Sequence, residues 1–143
     1  MIAENKMVWG RRFVVCVLSL VMLGCDGRKV PELGYVSGAV TMDGKPLDGV
    51  TVNFHPFSKG KGQGRVAVGK TDSEGKYVLT YLEGIEGTKL GPNKVSIMTF
   101  WPDGEPGEGE FETIPVRYYG RDTTLEETVV EGNNTFDFKL TSQ

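Results

Sequence analysis

The sequence has very little of what a metal centre or a nucleic-acid interface requires. It contains one histidine and two cysteines, whereas a structural zinc site uses four nitrogen or sulfur ligands and a catalytic zinc site usually three. Its formal net charge is -3, and no block of basic residues offers the positive surface that binds DNA or RNA. The composition therefore argues against most zinc proteins and against nucleic acid as a partner, and we expect no cofactor.

Long helical patterns are also missing, and glycine is abundant. The chain of 143 residues contains 20 glycines, about twice their average share in globular proteins. No apolar stripe with a period of 3.6 residues is present, which disfavours long amphipathic helices. The length suits one domain with one core. These features predict a turn-rich domain of β-strands.

The first 25 residues differ sharply from the rest of the chain. Three basic residues, Lys6, Arg11 and Arg12, precede an uncharged apolar run at 13–23. This order is typical of a secretory signal. The run is about half of the roughly 20 apolar residues that a membrane-spanning helix needs. We therefore predict a signal peptide over residues 1–24.

The end of this run resembles a bacterial lipobox. Residues 22–25 read MLGC, so cleavage is expected between Gly24 and Cys25, and Cys25 would carry the lipid, including acyl chains such as palmitate. The resemblance implies a chain anchored in the bacterial cell envelope on the non-cytoplasmic face, periplasmic or at the outer membrane. Residues 25–34 would form a lipidated tether. An uncleaved signal anchor and plain secretion are the alternatives.

From Tyr35 onward the sequence alternates apolar and polar residues in short runs separated by turn signals. This period of two is typical of strands that bury one face. The pattern predicts an all-β fold for 35–143, a single seven-stranded sandwich of immunoglobulin-like type. The predicted strands are 35–42, 50–55, 65–71, 76–82, 93–100, 124–131 and 135–140. The predicted core includes Val50, Val52, Phe54, Tyr77, Leu79, Val95, Ile97, Phe136 and Phe138.

Glycine, proline and acidic residues divide these strands. Asp43-Gly44 predicts a tight turn, and residues 72–75 predict a hairpin turn between the third and fourth strands. A further turn is expected at 132–134. Residues 58–64 are basic and glycine-rich, so a mobile loop is expected there. Residues 101–112 carry five carboxylates among glycines and prolines, which predicts an exposed excursion from the sandwich.

Two stretches resemble a known family. Residues 38–52 (GAVTMDGKPLDGVTV) and 71–79 (TDSEGKYVL) resemble the carboxypeptidase regulatory-like, or transthyretin-like, β-sandwich domain. Residues 114–140 are similar to the version carried by many small lipoproteins of planctomycete bacteria. The resemblance implies the sandwich fold and no catalytic residues, because the matched positions are turn glycines, a turn proline and core aromatics.

Few side chains suggest chemistry. His55 is expected on the polar face of its strand without a serine or cysteine partner, which disfavours nucleophilic catalysis. Trp101 and Tyr118 are candidate ligand-facing aromatics for sugar stacking. Tyr119 would point away from Tyr118 if both lay on a strand, so packing is the favoured interpretation. The acidic residues of 101–112 lack the regular spacing of a calcium site, and no metal is expected.

These observations predict a protein without catalytic activity. The leading hypothesis is a membrane-anchored lipoprotein that displays a β-sandwich as a binding or envelope-structural module. A carbohydrate-binding module and an undetected hydrolase are the alternatives. The expected partners are the membrane, through the lipid on Cys25, and either a polysaccharide or an envelope protein. An envelope protein could pair with an exposed sheet edge by β-augmentation.

Overall fold

The computed structural model describes residues 29–57, 64–102, 104–120 and 122–143. The chain divides into two units, Met1–Val30 and Pro31–Gln143, and only Lys29 and Val30 of the first unit are described. The predictions for the signal peptide, for Gly24 and Cys25, and for most of the basic loop at 58–64 therefore lie outside the described residues. Within the described part of the chain, no helix has the length and apolar character needed to span a bilayer.

The unit Pro31–Gln143 is built from short strands, which confirms the predicted all-β class. The described residues also include one 3-10 helix, Val116–Tyr118. The strands are β1 (Leu33–Met42), β2 (Lys45–Pro46), β3 (Val50–Pro56), β4 (Ala67–Lys70), β5 (Lys76–Val78), β6 (Thr80–Leu82), β7 (Ile85–Glu86), β8 (Thr88–Lys89), β9 (Gly91–Thr99), β10 (Leu125–Val129), β11 (Asn133–Thr135) and β12 (Phe138–Leu140).

The strands form two sheets that pack as a β-sandwich. In the first sheet β1 is central, with β11 and β12 parallel to it and β2, β5 and β8 antiparallel. The second sheet is antiparallel, in the order β10-β9-β3-β4-β6-β7. Strand β3 shows the clearest alternation, because its residues are buried and half-buried in turn. Each of the seven predicted strands overlaps a strand of the structure.

The predicted strand at 76–82 is divided between the two sheets. Strand β5 pairs with β1 of the first sheet, whereas β6 pairs with β4 of the second. Leu79 lies at the crossing, where its N–H donates to Val36 of the first sheet and its carbonyl accepts from Gly87. The turn predicted at 72–75 is present, since the N–H of Gly75 donates to the carbonyl of Asp72 at 2.8 Å, but the two predicted strands pair only where Val68 lies opposite Thr80. Near the turn the chain leaves β4 to join the other sheet.

The core lies between the two sheets and contains the predicted residues. Eight of the nine are buried and Phe136 is partly buried. The ring of Phe54 lies 5.9 Å from that of Phe136 and 6.3 Å from that of Phe138, which also stacks on Tyr77. Burying each large side chain contributes about 1.5–3 kcal/mol. The core also contains Val36, Val40, Ala67, Ile114, Tyr118, Val129 and Leu140.

Two of the predicted turns differ in outcome. Asp43 and Gly44 have φ angles of 50° and 80° and join β1 to β2, as expected for a two-residue hairpin turn. The turn predicted at 132–134 is wrong for its last two residues, because Asn133 and Asn134 belong to β11. The Asn134 side chain replaces the missing turn bonds, since its Nδ2 donates to the carbonyls of Tyr35, Val130 and Gly132.

Candidate functional site

His55 has a serine partner, contrary to the sequence prediction. Its Nε2 lies 3.1 Å from the hydroxyl oxygen of Ser96 on the neighbouring strand β9, because His55 pairs with Lys94 and Ser96 is the next outward-facing residue. Burial lowers the pKa of His55 below its ordinary value. A histidine beside a hydroxyl can activate a nucleophile. Ser96, however, is only 4% exposed, and among the described residues no carboxylate bonds the other ring nitrogen of His55.

The aromatic candidates do not lie on a strand. Tyr118 is in the 3-10 helix and is 9% exposed, which corrects the assumption that it and Tyr119 alternate along a strand. Its hydroxyl accepts the N–H of Thr141 at 3.1 Å, and the guanidinium of Arg117 lies 4.6 Å from its ring centroid. Tyr118 therefore holds the C-terminal segment, while Trp101 is half-buried.

One carboxylate of the acidic segment has a structural role. Residues 104–111 are exposed, as predicted, but Glu112 is half-buried and folds back on the chain. Its two oxygens accept the N–H of Thr99 at 2.9 Å, the hydroxyl of Thr99 at 2.7 Å and the N–H of Ile114 at 2.9 Å. Glu112 thus closes the loop. In the part of the chain that is described, no three histidine, cysteine or acidic side chains cluster as metal ligands.

The carboxylates at 72–75 also serve the backbone. Asp72 Oδ1 accepts the N–H groups of Glu74 and Lys76, both at 2.9 Å, and so reinforces the backbone turn in which the N–H of Gly75 donates to the Asp72 carbonyl. Glu74 and Lys76 form an exposed ion pair at 2.6 Å. The hydrogen bond and charge of Glu74 raise the pKa of Lys76. The two carboxylates at this position are accounted for by the turn and by a surface ion pair.

The longest edge strand among the described residues lies at one end of the second sheet. Within the described residues, strand β10 pairs only with β9, and it is longer than any other strand at an edge of either sheet. Which of its residues face β9 follows from Pro92. The N–H of Phe57 donates to the carbonyl of Pro92 at 3.1 Å, so Pro92 faces β3. Because backbone groups alternate in direction along a strand, Asn93 and Val95 face β10.

The residues of β10 can then be divided into two sets. Three residues of β10 lie opposite the β9 residues that face them, so their backbone groups form hydrogen bonds within the sheet. They are Leu125, Glu127 and Val129. Glu126 and Thr128 direct their N–H and C=O groups away from the sandwich. Within the described residues these four backbone groups have no hydrogen-bond partner. Both side chains are exposed.

The chain itself closes the edge on either side of this gap. Before it, the N–H of Thr124 donates to the carbonyl of Arg117 at 3.2 Å. After it, the N–H of Val130 donates to Asn134 Oδ1 at 3.0 Å, and the Val130 carbonyl accepts from Asn134 Nδ2 at 2.9 Å. We call the stretch 125–129 the open edge. It offers two donors and two acceptors between two closed ends.

The open edge is acidic. Glu126 is exposed, and Glu127 is half-buried with its pKa raised by burial. Lys94 is opposite Glu126 on β9. The sequence predicted the strand but not its unpaired side, because that side follows from the direction of Pro92 and the partner of Val130. The signal that could have indicated it is the pair of charged residues inside a short strand, a common feature of edge strands.

The comparisons with known proteins do not identify the chain. No family model matches it, and no curated protein matches it. Among solved structures, it is similar to a 9R-lipoxygenase from Cyanothece PCC8801, with 18% sequence identity, a TM-score of 0.35 and coverage of 77% of this chain. The matched region is 16% of the lipoxygenase chain, so the chain spans a small part of that protein.

Proposed function

We propose that this protein is a lipoprotein without catalytic activity that displays a β-sandwich outside the cytoplasmic membrane as a binding module. The anchoring half of the proposal is supported by residues 1–25, where an apolar run ends in MLGC. The binding half is supported by one observation of the fold, the open edge at 125–129. We further propose that the twelve strands correspond to a seven-stranded transthyretin-like sandwich. Strands β5 and β6 count as one strand of that sandwich, as do β11 and β12, and the two-residue strands β2, β7 and β8 are additions to it.

The geometry favours a binding role over the two alternatives. A hydrolase would require the Ser96 hydroxyl to reach a substrate, and that hydroxyl belongs to a residue that is almost fully buried. A sugar platform would require exposed ring faces, and the ring of Tyr118 is buried beneath Arg117. The open edge, by contrast, has unpaired backbone groups that another chain can satisfy.

Replacing the proposed lipid attachment residue tests the anchoring. The full-length chain and its Cys25→Ser variant are expressed in a bacterium that processes lipoproteins, and membranes are separated from soluble fractions. We expect the unchanged chain in the membrane fraction with a mature N-terminus at Cys25 whose mass includes a diacylglyceryl group. The matched control is Cys16→Ser, because Cys16 lies within the predicted signal and should leave processing unchanged. An intact residue 1 in the membrane-bound chain would contradict the proposal.

A further inference from the structure

We infer that the open edge binds an extended segment of another protein that carries lysine or arginine, which adds a strand beside β10. This inference rests on the proposed binding function and names its partner. An added strand would pair with the outward N–H and C=O groups of Glu126 and Thr128. The closed ends at Thr124 and Val130 restrict the pairing to these two residues, so a segment of about five residues is enough to cover it.

The charges of the edge determine which segment fits. In an antiparallel pair, side chains directly opposite one another lie about 4.5–5.5 Å apart, and opposite charges there stabilise whereas like charges destabilise. Glu126 and Glu127 are adjacent in the open edge, so an incoming strand meets a carboxylate on each of its faces. A segment with lysine or arginine at two neighbouring positions places a positive charge opposite both.

A second copy of this chain is a poorer occupant for the same reason. Two β10 strands related by a two-fold axis would have to pair Glu126 with Thr128 of the other copy, since within the described part of the chain these are the residues of β10 with free backbone groups. That register puts Glu127 directly opposite Glu127 of the other copy. Burial already raises the pKa of Glu127, and a second carboxylate at this distance adds repulsion. The edge therefore favours a basic segment over itself.

The remaining edges of the sandwich are less suited to this role. At the other end of the second sheet, β7 is only two residues long. In the first sheet the strands at the edges are two or three residues each, namely β2, β5, β8, β11 and β12. Strands β11 and β12 are separated at Asp137, whose exposed carboxylate accepts the N–H of Ala39 at 2.9 Å. A short or interrupted edge offers fewer consecutive backbone groups.

Peptide binding tests the inference directly. The probe is a fluorescent blocked peptide of sequence Thr-Val-Lys-Lys-Val-Thr, titrated with the full-length chain in mild detergent at low salt. The matched control replaces both lysines with glutamates. We expect the lysine peptide to bind at least tenfold more tightly than the glutamate peptide, and the difference to shrink at high salt because screening weakens exposed charges. Equal affinity of the two peptides, or no binding of either, would overturn the inference.

A proline at the edge separates strand addition from simple charge attraction. Thr128→Pro removes an N–H that faces solvent, so the bonds between β10 and β9 are kept. We expect it to weaken binding of the lysine peptide at least tenfold, whereas Thr128→Val, which keeps the N–H, should stay within about twofold. Unchanged binding in a folded Thr128→Pro variant would refute strand addition.

Two further measurements keep the result interpretable. If Thr128→Pro melts at a much lower temperature, a modified peptide is used with the unchanged protein instead. This is the lysine peptide N-methylated at its four central residues, which keeps both charges but cannot form the hydrogen bonds of a ladder. Equal binding of the methylated and unmethylated peptides would refute the inference. Sedimentation of the chain alone should show no pairing through β10, and a dimer that Thr128→Pro dissolves would assign the edge to a second copy. Peptide binding does not require acylated Cys25, so its failure and that of the anchoring proposal are separate results.

Discussion

The loop at 101–112 contains one carboxylate whose removal should be costly. Glu112 accepts three hydrogen bonds, two from Thr99 and one from Ile114, at 2.7–2.9 Å. Hydrogen bonds to charged groups contribute about 1.5–3 kcal/mol each in favourable sites. Because Glu112 is half-buried and water can replace part of what is lost, we expect Glu112→Ala to lower the free energy of unfolding by about 2–4 kcal/mol.

Urea denaturation of the full-length chain measures this effect. With a slope of about 1.5 kcal/mol per molar urea, the expected loss moves the midpoint down by about 1–3 M. Glu112→Gln should lose less than Glu112→Ala, since the amide keeps one oxygen that can accept a bond. The NH2 group of the glutamine, however, is itself a donor and cannot accept the hydrogen bonds that Thr99 or Ile114 donates to the native carboxylate.

The matched control lies in the same segment. Glu108 is exposed and, within the described residues, its carboxylate has no hydrogen bond. Glu108→Ala removes the same charge from the same loop and should change the free energy of unfolding by less than about 0.5 kcal/mol. If Glu112→Ala and Glu108→Ala have equal effects, the reasoning that distinguishes a loop-closing carboxylate from a solvated one is refuted.

Three other changes give separate tests. Gly38→Ala would place a Cβ 1.9 Å from the carbonyl oxygen of Phe136, and we expect thermal melting to show a loss of at least about 3 kcal/mol. His55→Gln should reduce the loss of stability on acidification: burial lowers the pKa of His55 in the fold, so its contribution is complete above pH 6.5 and is lost as pH falls from 6.5 through the folded pKa. Arg117→Ala should increase hydrogen exchange around Thr141, which its guanidinium holds.

Matched variants check the changes at Gly38 and His55. Gly49→Ala has open space but a φ of 69°, so it should cost only about 1 kcal/mol; a larger loss than at Gly38 would contradict the steric argument. Glu127→Gln tests the opposite pH sign, because a raised carboxyl pKa makes the fold gain stability as pH falls towards 4.5. Unchanged exchange near the C-terminus in the Arg117 variant would show that Tyr118 alone is sufficient there.

The fold class and most of the core could be predicted because single strands carry their own pattern. In β3, Val50, Val52 and Phe54 are buried and the residues between them are not, so one face could be assigned without knowing any neighbour. The crossing at Leu79 could not be predicted in this way. The run 76–82 alternates as one straight strand would, and its division is decided by which sheet offers backbone partners on each side of Leu79.

The difference between local pattern and contacts distant along the chain also explains which site residues could not be placed from the sequence. Alternation puts Ser96 on the outward face of β9, yet that residue is only 4% exposed, and its hydroxyl contacts His55. Alternation between Tyr118 and Tyr119 applies only to a strand, and the 3-10 helix at Val116–Tyr118 was not predicted. The carboxylate of Glu112 is indistinguishable in sequence from the exposed ones before it. These features depend on contacts between residues distant along the chain.

The acidic residues of the open edge have two consequences that share one cause. Charged residues on an edge strand discourage uncontrolled pairing with other strands, and at Glu127 the repulsion between two copies would be direct. The same carboxylates favour a strand of the opposite charge by the same Coulomb interaction. The two carboxylates therefore both prevent self-pairing of β10 and favour a basic partner strand. Replacing both glutamates with lysine should reverse the peptide preference while still preventing self-pairing, whereas replacing both with threonine should remove the preference and increase self-association.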